Sequence, residues 1–437
     1  MAELAHTQPA AVASRALDGL AAAVRTEVGV VRAATAVVAL HVADDSFLQP
    51  NPGTSAADHL AGGLVPLALL AGAAVFYGRV RAGAQATIVL VLGFLGVLFG
   101  TEAVHYAKEV GPSGDDFTGL LSIPAGLVLV GLGIVKLWRS RKTSDHPLWR
   151  YSRRLLITAA VVASVPIVVI PVALSYVVTH AGRAHVPTAD LGAPYEEVEF
   201  TTSDGLLLKG WYIESKNGAA VISFPGRAAS QKRAKMMADH GYGVLLFDRR
   251  GEGESEGDPN LFGWQGERDI HAPVAFLQSR PDVDPERIGG IGLSVGGEMM
   301  MEAAAESGAI KAIMSEGGSG RSVRDIWANP DRRWPELLGN SVATAATALF
   351  TDNVPPSSLR SLAPKIQGAS FFVYGEQGQI VEEPANTAFY EEARGQKEIW
   401  EVPGSGHMKG IEAQPEEYER RVVGFFDRTL LNEGGKG

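Results

Sequence analysis

Two residues in the second half of the chain are of the right type and spacing for acyl chemistry. Gly292-Leu293-Ser294-Val295-Gly296 sets a serine between two glycines, a GxSxG pattern whose glycines permit a sharp, crowded turn that lifts the hydroxyl clear of the backbone. Residues 287–293 read as a strand and 297–307 as a helix. The turn therefore joins strand to helix, and the helix N-terminus favours negative charge developing beside Ser294. A serine hydroxyl needs a base. Only His271 and His407 follow residue 250. His271 precedes the serine and falls in a helical stretch. His407 ends Gly404-Ser405-Gly406-His407, directly after the last expected strand, where a loop can carry imidazole over the serine in the order serine, acid, histidine. The competing glycine pattern fails: Gly290-x-Gly292 has Val295 where a dinucleotide fingerprint needs its third glycine.

The elements that must position these residues are β-rich runs alternating with helical ones, the signature of βαβ units. Strands are expected over 197–202, 206–213, 219–224, 243–247, 287–293, 310–315, 370–374 and 398–402, with a hairpin turn at Ser203-Asp204-Gly205. Helices are expected over 230–240, 267–279, 297–307, 386–394 and 415–430. The reading is a mostly parallel eight-stranded sheet that starts with a hairpin. The 54 residues from 316 to 369 leave room for a small cap.

From about residue 195 the chain resembles the α/β-hydrolase superfamily of serine hydrolases. The resemblance rests on Phe224-Pro225-Gly226, the run Asp248-Arg249-Arg250-Gly251-Glu252-Gly253-Glu254-Ser255, the Ser294 turn and Gly406-His407. It covers roughly 240 residues. It implies a Ser–His–acid hydrolase of carboxylic esters or thioesters that works through an acyl-enzyme and needs no metal or organic cofactor. The implied oxyanion donors are the backbone N–H groups of Arg227 and Val295. Pro225-Gly226 stands where many members have His-Gly. The superfamily's acid usually follows the glycine ending the seventh strand (here Gly375) by three residues, and that position is Gly378. Glu382 is the favoured replacement, with Glu383, Glu376 and Glu316 behind it. The Asp248–Ser255 run is read as a tight structural turn. An acyltransferase or peptidase on the same fold is the in-class alternative. A transporter or sensor whose hydrolase-like half only binds ligand is the alternative from another class.

Within the expected cap, Trp327, Trp334 and Phe350 are apolar candidates for contact with substrate. Arg321, Arg324, Arg332 and Arg333 suit either a solvated surface, the commoner fate of such runs, or recognition of a carboxylate or phosphate.

The first part of the chain is different in kind. Residues 60–77, 82–101, 117–135 and 155–179 contain no charged side chain and are long enough to span a bilayer. Residues 28–43 form a shorter stretch interrupted by Arg32 and His41, a marginal first span. About five transmembrane helices over 1–183, followed by a hydrolase domain over 184–437, is the expected organisation. No signal-peptide cleavage pattern precedes the first stretch, so its N-terminus is expected to be retained. Arg79 and Arg81 fill one short loop, and Arg139, Arg141, Lys142, Arg150, Arg153 and Arg154 fill another. Residues 44–58 have no Lys or Arg, and 105–116 have only Lys108. Basic loops face the cytoplasm, which puts the hydrolase half on the extracytoplasmic side of the plasma membrane. Gly96 and Gly100 permit close helix approach, and Pro166 and Pro171 should kink the last span. His41, Asp44, Asp45, Asp58, His59, Glu102, His105, Asp115 and Asp116 gather near the outer face, as solvated ends or as a cation or headgroup site.

Composition narrows the classes further. The 437 residues include no cysteine, which excludes disulfide scaffolds, thiolate metal sites and cysteine nucleophiles. The formal charge of −10 disfavours nucleic acid as a partner. That charge is unevenly shared: residues 1–183 hold 14 Lys+Arg against 11 Asp+Glu, and the remainder hold 25 against 38. The expected partners are therefore an acyl substrate, small or lipidic, and the membrane lipids.

Overall fold

The computed structural model describes residues 26–109, 111–112, 114–139, 147–183, 185–330 and 332–431. Arg141 and Lys142 of the second basic loop, and residues 1–25, lie outside that set. The described residues divide into two compact units. One comprises residues up to Pro50 together with Ser55–Ala160, the other Asn51–Thr54 together with residues from Val161 onward.

The first unit is helical: α1 Glu27–Ala43, α2 Leu60–Phe76, α3 Ala82–Phe99, α4 Thr101–Glu109 and α5 Asp116–Arg139, then the start of α6, Pro147–Ser164. Among the described residues, four stretches are long and apolar enough to cross a membrane: Ala56–Arg79, Ala82–Lys108, Asp116–Arg139 and Tyr151–Thr179. The marginal stretch at 28–43 does form a helix, but one of only 17 residues with Arg32 inside it. Small residues set how closely α3 and α5 pack. A Cβ on Gly126 would lie 2.6 Å from Gly93 O, and one on Gly100 would lie 2.5 Å from Gly119 O. Ser122 Oγ donates to Gly96 O at 2.6 Å across the same seam. His41 bonds Phe99 O (2.7 Å) and Thr118 Oγ1 (3.3 Å), and Thr118 donates to Asp44 at 2.8 Å. These groups tie α1 to α3 and α5. Among the described residues no three His, Asp or Glu side chains converge as metal ligands.

In the second unit the last apolar stretch is broken where its prolines predict. A π-helical turn over Val165–Val169 separates α6 from α7, Ile170–Thr179, because Pro171 has no N–H to donate one turn back. The sheet that follows has eight strands: β1 Glu196–Thr201, β2 Leu207–Ile213, β3 Ala220–Phe224, β4 Gly243–Phe247, β5 Ile288–Leu293, β6 Ala312–Glu316, β7 Ala369–Gln377 and β8 Lys397–Gly406. Their order is β1-β2-β4-β3-β5-β6-β7-β8. β1, β2 and β4 pair antiparallel and the remainder parallel. Both faces of the central strands are covered, which is why they read as unbroken apolar runs. Ala220, Ile222, Phe224, Leu245 and Phe247 face one core layer, while Val221, Val244 and Leu246 face the other.

The helices of this unit are α8 Gly226–Ala229, α9 Gln231–Asp239, α10 Gly266–Gln278, α11 Val295–Glu306, α12 Val323–Ala328, α13 Trp334–Thr351, α14 Leu359–Leu362, α15 Glu382–Glu392, α16 Gly410–Ala413 and α17 Pro415–Phe426. α12 to α14 occupy the interval between β6 and β7. α13 packs against the π-turn and α7: Ser175 Oγ donates to Ala343 O at 3.0 Å, and Tyr176 meets Phe350 edge-on with ring centres 5.5 Å apart. β8 runs four residues past its expected end at 402, since Gln377 pairs with Gly406 across the parallel ladder. The Gly-Ser-Gly sequence reads as a loop on its own; strand pairing overrides it.

Candidate active site

Ser294 sits between β5 and α11 with φ 51° and ψ −123°, a strained conformation for a residue with a side chain. Two close approaches explain the flanking glycines. A Cβ on Gly292 would lie 2.5 Å from Gly297 Cα, and one on Gly296 would lie 2.6 Å from Pro225 Cδ. Ser294 N–H donates to Glu316 O at 2.7 Å, which anchors the turn to the end of β6. The following helix starts at Val295, two residues earlier than the sequence pattern suggests.

The end of β8 brings His407 to this serine. His407 Nε2 lies 3.0 Å from Ser294 Oγ, and Nδ1 lies 2.7 Å from Glu382 Oε1. A carboxylate only accepts hydrogen bonds, so Nδ1 carries the hydrogen and Nε2 is left to accept the serine O–H. Glu382 is 1% exposed and opens α15. Gln379 N–H donates to its Oε1 at 2.6 Å, while Oε2 is buried with no donor among the described residues. Gly378 now has a physical reason. A Cβ there would lie 2.7 Å from Glu382 Oε2 and 2.9 Å from Cδ, so the space of a side chain at 378 is filled by the carboxylate from 382.

The other three candidate acids lie elsewhere. Glu316 is buried and accepts from Arg233 Nη2 (2.7 Å), Tyr418 O–H (2.7 Å) and Gly410 N–H (2.9 Å). Arg233 also donates to Met408 O at 2.9 Å. This buried ion pair therefore fixes the chain on the far side of His407. Glu376 accepts from Gly404 N–H at 2.7 Å, and Glu383 is exposed.

Of the two expected oxyanion donors, Val295 is the first residue of α11, where a backbone N–H has no intrahelical acceptor. Arg227 differs from expectation. Its backbone N–H donates to Asp248 Oδ1 at 2.9 Å, and its guanidinium bonds the same carboxylate (Nε to Oδ2, 2.8 Å) and Glu254 (3.0 Å). The cause is burial: the Arg227 side chain is 3% exposed and needs an anion beside it. Asp248, at the end of β4, supplies that anion and captures the backbone donor as well. Burial pushes the Asp248 carboxyl above its usual range, against the pull of Arg227.

A cavity of about 270 Å³ opens beside Ser294 and Val295. Ile326 and Ala343 reach it from the cap, and Leu261, Phe262 and Trp264 from the loop before α10. Trp327 and Trp334, expected as apolar contacts, are instead 51% and 68% exposed, and Phe350 packs on Tyr176. The sequence reading overlooked the 261–264 loop, whose Leu-Phe-Gly-Trp run is the one signal that marks it. It also overlooked Glu298. One turn along α11 from Ser294, Glu298 accepts from Ser319 N–H (2.7 Å) and Gly320 N–H (2.8 Å), and it lies 3.6 Å from Arg321. Arg321 also pairs with Glu302, whose carboxyl burial pushes up against the opposing pull of Arg321.

Comparison with known proteins places the chain in a family. The sequence profile of the X-Pro dipeptidyl-peptidase (S15) family matches residues 181–401, half of the chain. The chain belongs to that family. The chain is 35% identical over 152 residues to the polyketide transferase grgF of a Penicillium species, covering 33% of this chain and 50% of that one. It is 37% identical over 129 residues to the thiohydrolase aneE of Aspergillus aculeatus, covering 28% and 41%. The matches thus span about half the length of these curated relatives. Among solved structures, an esterase of Pyrococcus furiosus, Pf2001, aligns with 57% of this chain and 100% of its own at 24% identity and a TM-score of 0.46. The family makes this an α/β-hydrolase, and the curated relatives it matches are named as a polyketide transferase and a thiohydrolase.

Proposed function

We propose that the protein is a membrane-anchored serine hydrolase that cleaves carboxylic ester or thioester bonds. One observation carries this reading: the unbroken chain of hydrogen bonds from Ser294 Oγ through His407 to buried Glu382. As Ser294 Oγ attacks the acyl carbonyl, its proton passes to His407 Nε2. The imidazolium so formed is held by Glu382, whose buried carboxylate has few other donors to neutralise it. Val295 N–H and the N-terminus of α11 stabilise the oxyanion. His407 then gives its proton to the leaving alkoxide or thiolate as the carbonyl re-forms. Water, deprotonated by the same imidazole, releases the acid and restores the hydroxyl.

Acyl transfer is the second reading, favoured by the match to a polyketide transferase. It shares the acyl-enzyme and differs only in the acceptor. Peptide cleavage, the activity in the family's name, uses the same groups on an amide. The membrane anchor is supported by four long apolar stretches, the last of which is the most exposed, with Leu155 at 71% and Leu156 at 68%. The decisive experiment is labelling by a fluorophosphonate probe. Wild-type protein should label, and Ser294→Ala and His407→Ala should not. Failure of folded wild-type protein to label would leave a ligand-binding domain as the better account. Product analysis with and without an added nucleophile separates transfer from hydrolysis.

A further inference from the structure

The cavity beside Ser294 contains a cation that its ion pairs do not neutralise. Of the four cap arginines, Arg321 is buried and matched by Glu298 and Glu302, and Arg324 and Arg333 are exposed. Arg332 is different. It lines the cavity shared with Ser294, its Nε is buried without an acceptor, and no carboxylate among the described residues forms an ion pair with it. Burial holds its guanidinium below the ordinary value, and the field of Glu336, one turn along the chain, only partly offsets this. A second buried group in the same wall also lacks a partner: Thr347 Oγ1, on α13, is fully enclosed and makes no hydrogen bond.

A half-buried cation with one enclosed donor and no anion beside it is stabilised by gaining an acceptor. Both residues line the cavity that Ser294 also lines, and each has a hydrogen-bonding atom without a partner. A planar guanidinium matches a carboxylate with two parallel hydrogen bonds. At about 270 Å³ the space is at the small end for ligand pockets, and so suits a short acyl group. We infer that Arg332, assisted by Thr347, binds a carboxylate carried by the acyl part of the substrate, so that short dicarboxylic half-esters or half-thioesters are favoured over neutral acyl groups. This rests on the hydrolase reading and adds a substrate class to it.

The test compares p-nitrophenyl hemiglutarate with p-nitrophenyl butyrate, which share a leaving group, using full-length protein. Wild type should favour the hemiglutarate. Arg332→Gln should lose at least tenfold more kcat/KM on hemiglutarate than on butyrate, mainly through KM, and Arg332→Lys should recover part of the loss. Arg333→Gln, at an exposed neighbour, should leave the ratio unchanged. Fluorophosphonate labelling of every variant reports an intact Ser294 site independently. If variants label but Arg332→Gln lowers both esters equally, or if wild type shows no preference, the carboxylate site is wrong and the hydrolase stands. If wild type neither labels nor cleaves either ester, both readings fall.

Discussion

At the scale of residues, the acid of the proposed triad is a problem of space. Gly378 and the Glu382 carboxylate compete for one volume, with 2.7 Å between a Cβ at 378 and Oε2. Glu382→Ala should lower kcat about 10³- to 10⁴-fold, the usual cost of losing the group that orients the imidazole. Gly378→Asp alone should also be nearly inactive, because two carboxylates cannot share that site. The double variant Gly378→Asp/Glu382→Ala should regain at least tenfold over Glu382→Ala in steady-state ester hydrolysis; no gain would show that more than space fixes the acid's position. Sequence brings Glu382 only to the level of a favoured candidate, because its reach depends on how the chain turns after β7. It leaves the four cap arginines alike, because their type says nothing of which one meets Glu302. The role of Arg227 is hidden for a related reason: the backbone N–H is captured by a side chain, Asp248, 21 residues away. A different carboxylate sets a pH dependence. Burial would raise the Asp204 carboxyl, but hydrogen bonds from Thr202 and Arg250 bring it down to about 2 from an ordinary 3.8. A lowered native value stabilises the fold above the unfolded value and is lost as pH falls towards the native one. Because Asp204 is exposed and its ion pairs are screened, Asp204→Asn should cost no more than about 1 kcal/mol at pH 7 and about half that near pH 3. Urea midpoints of wild type and variant across that range should converge as pH falls; a constant gap would rule the linkage out.

At the scale of elements, α13 has two jobs. Asn340, Thr344 and Thr347 line the cavity beside Ser294, while Ser175 Oγ bonds Ala343 O and Tyr176 meets Phe350. The wall of the proposed substrate site is thus braced by the helix that ends the last apolar stretch. Continuous apolar runs between turn residues make the strands and the elbow legible, since a sheet covered on both faces buries every position of its central strands. The bracing was not legible. It joins residues 168 positions apart through a hydroxyl and a carbonyl that have no sequence signature. Aromatic contacts of this kind contribute roughly 0.5–1.5 kcal/mol beyond area burial. Phe350→Ala should accordingly loosen α13 and raise KM for esters several-fold, with a much smaller change in kcat. A fall in kcat with KM unchanged would mean that α13 supports the Ser294–His407 geometry instead of the binding wall.

At the scale of the whole molecule, charge and hydropathy divide the chain. Residues 1–183 carry a small positive excess and four charge-free runs, while the remainder carries 38 acidic against 25 basic residues. On the proposed membrane-anchored reading, arginine near the bilayer centre costs roughly 2.5–3.5 kcal/mol, which keeps each basic loop at a membrane face, and loop charge then selects which face. With Arg79 and Arg81 inside, an odd number of crossings separates them from the S15 domain, and the proposed orientation puts that domain outside. The chain offers a clean way to test this because it has no cysteine, so one introduced thiol is the only thiol. Lys216, after β2, and Arg81, between α2 and α3, are both exposed. In intact cells a membrane-impermeant maleimide should label Lys216→Cys at once, and Arg81→Cys only after permeabilisation. The opposite pattern would put the Ser294 site in the cytoplasm and direct the search for its acyl substrate there.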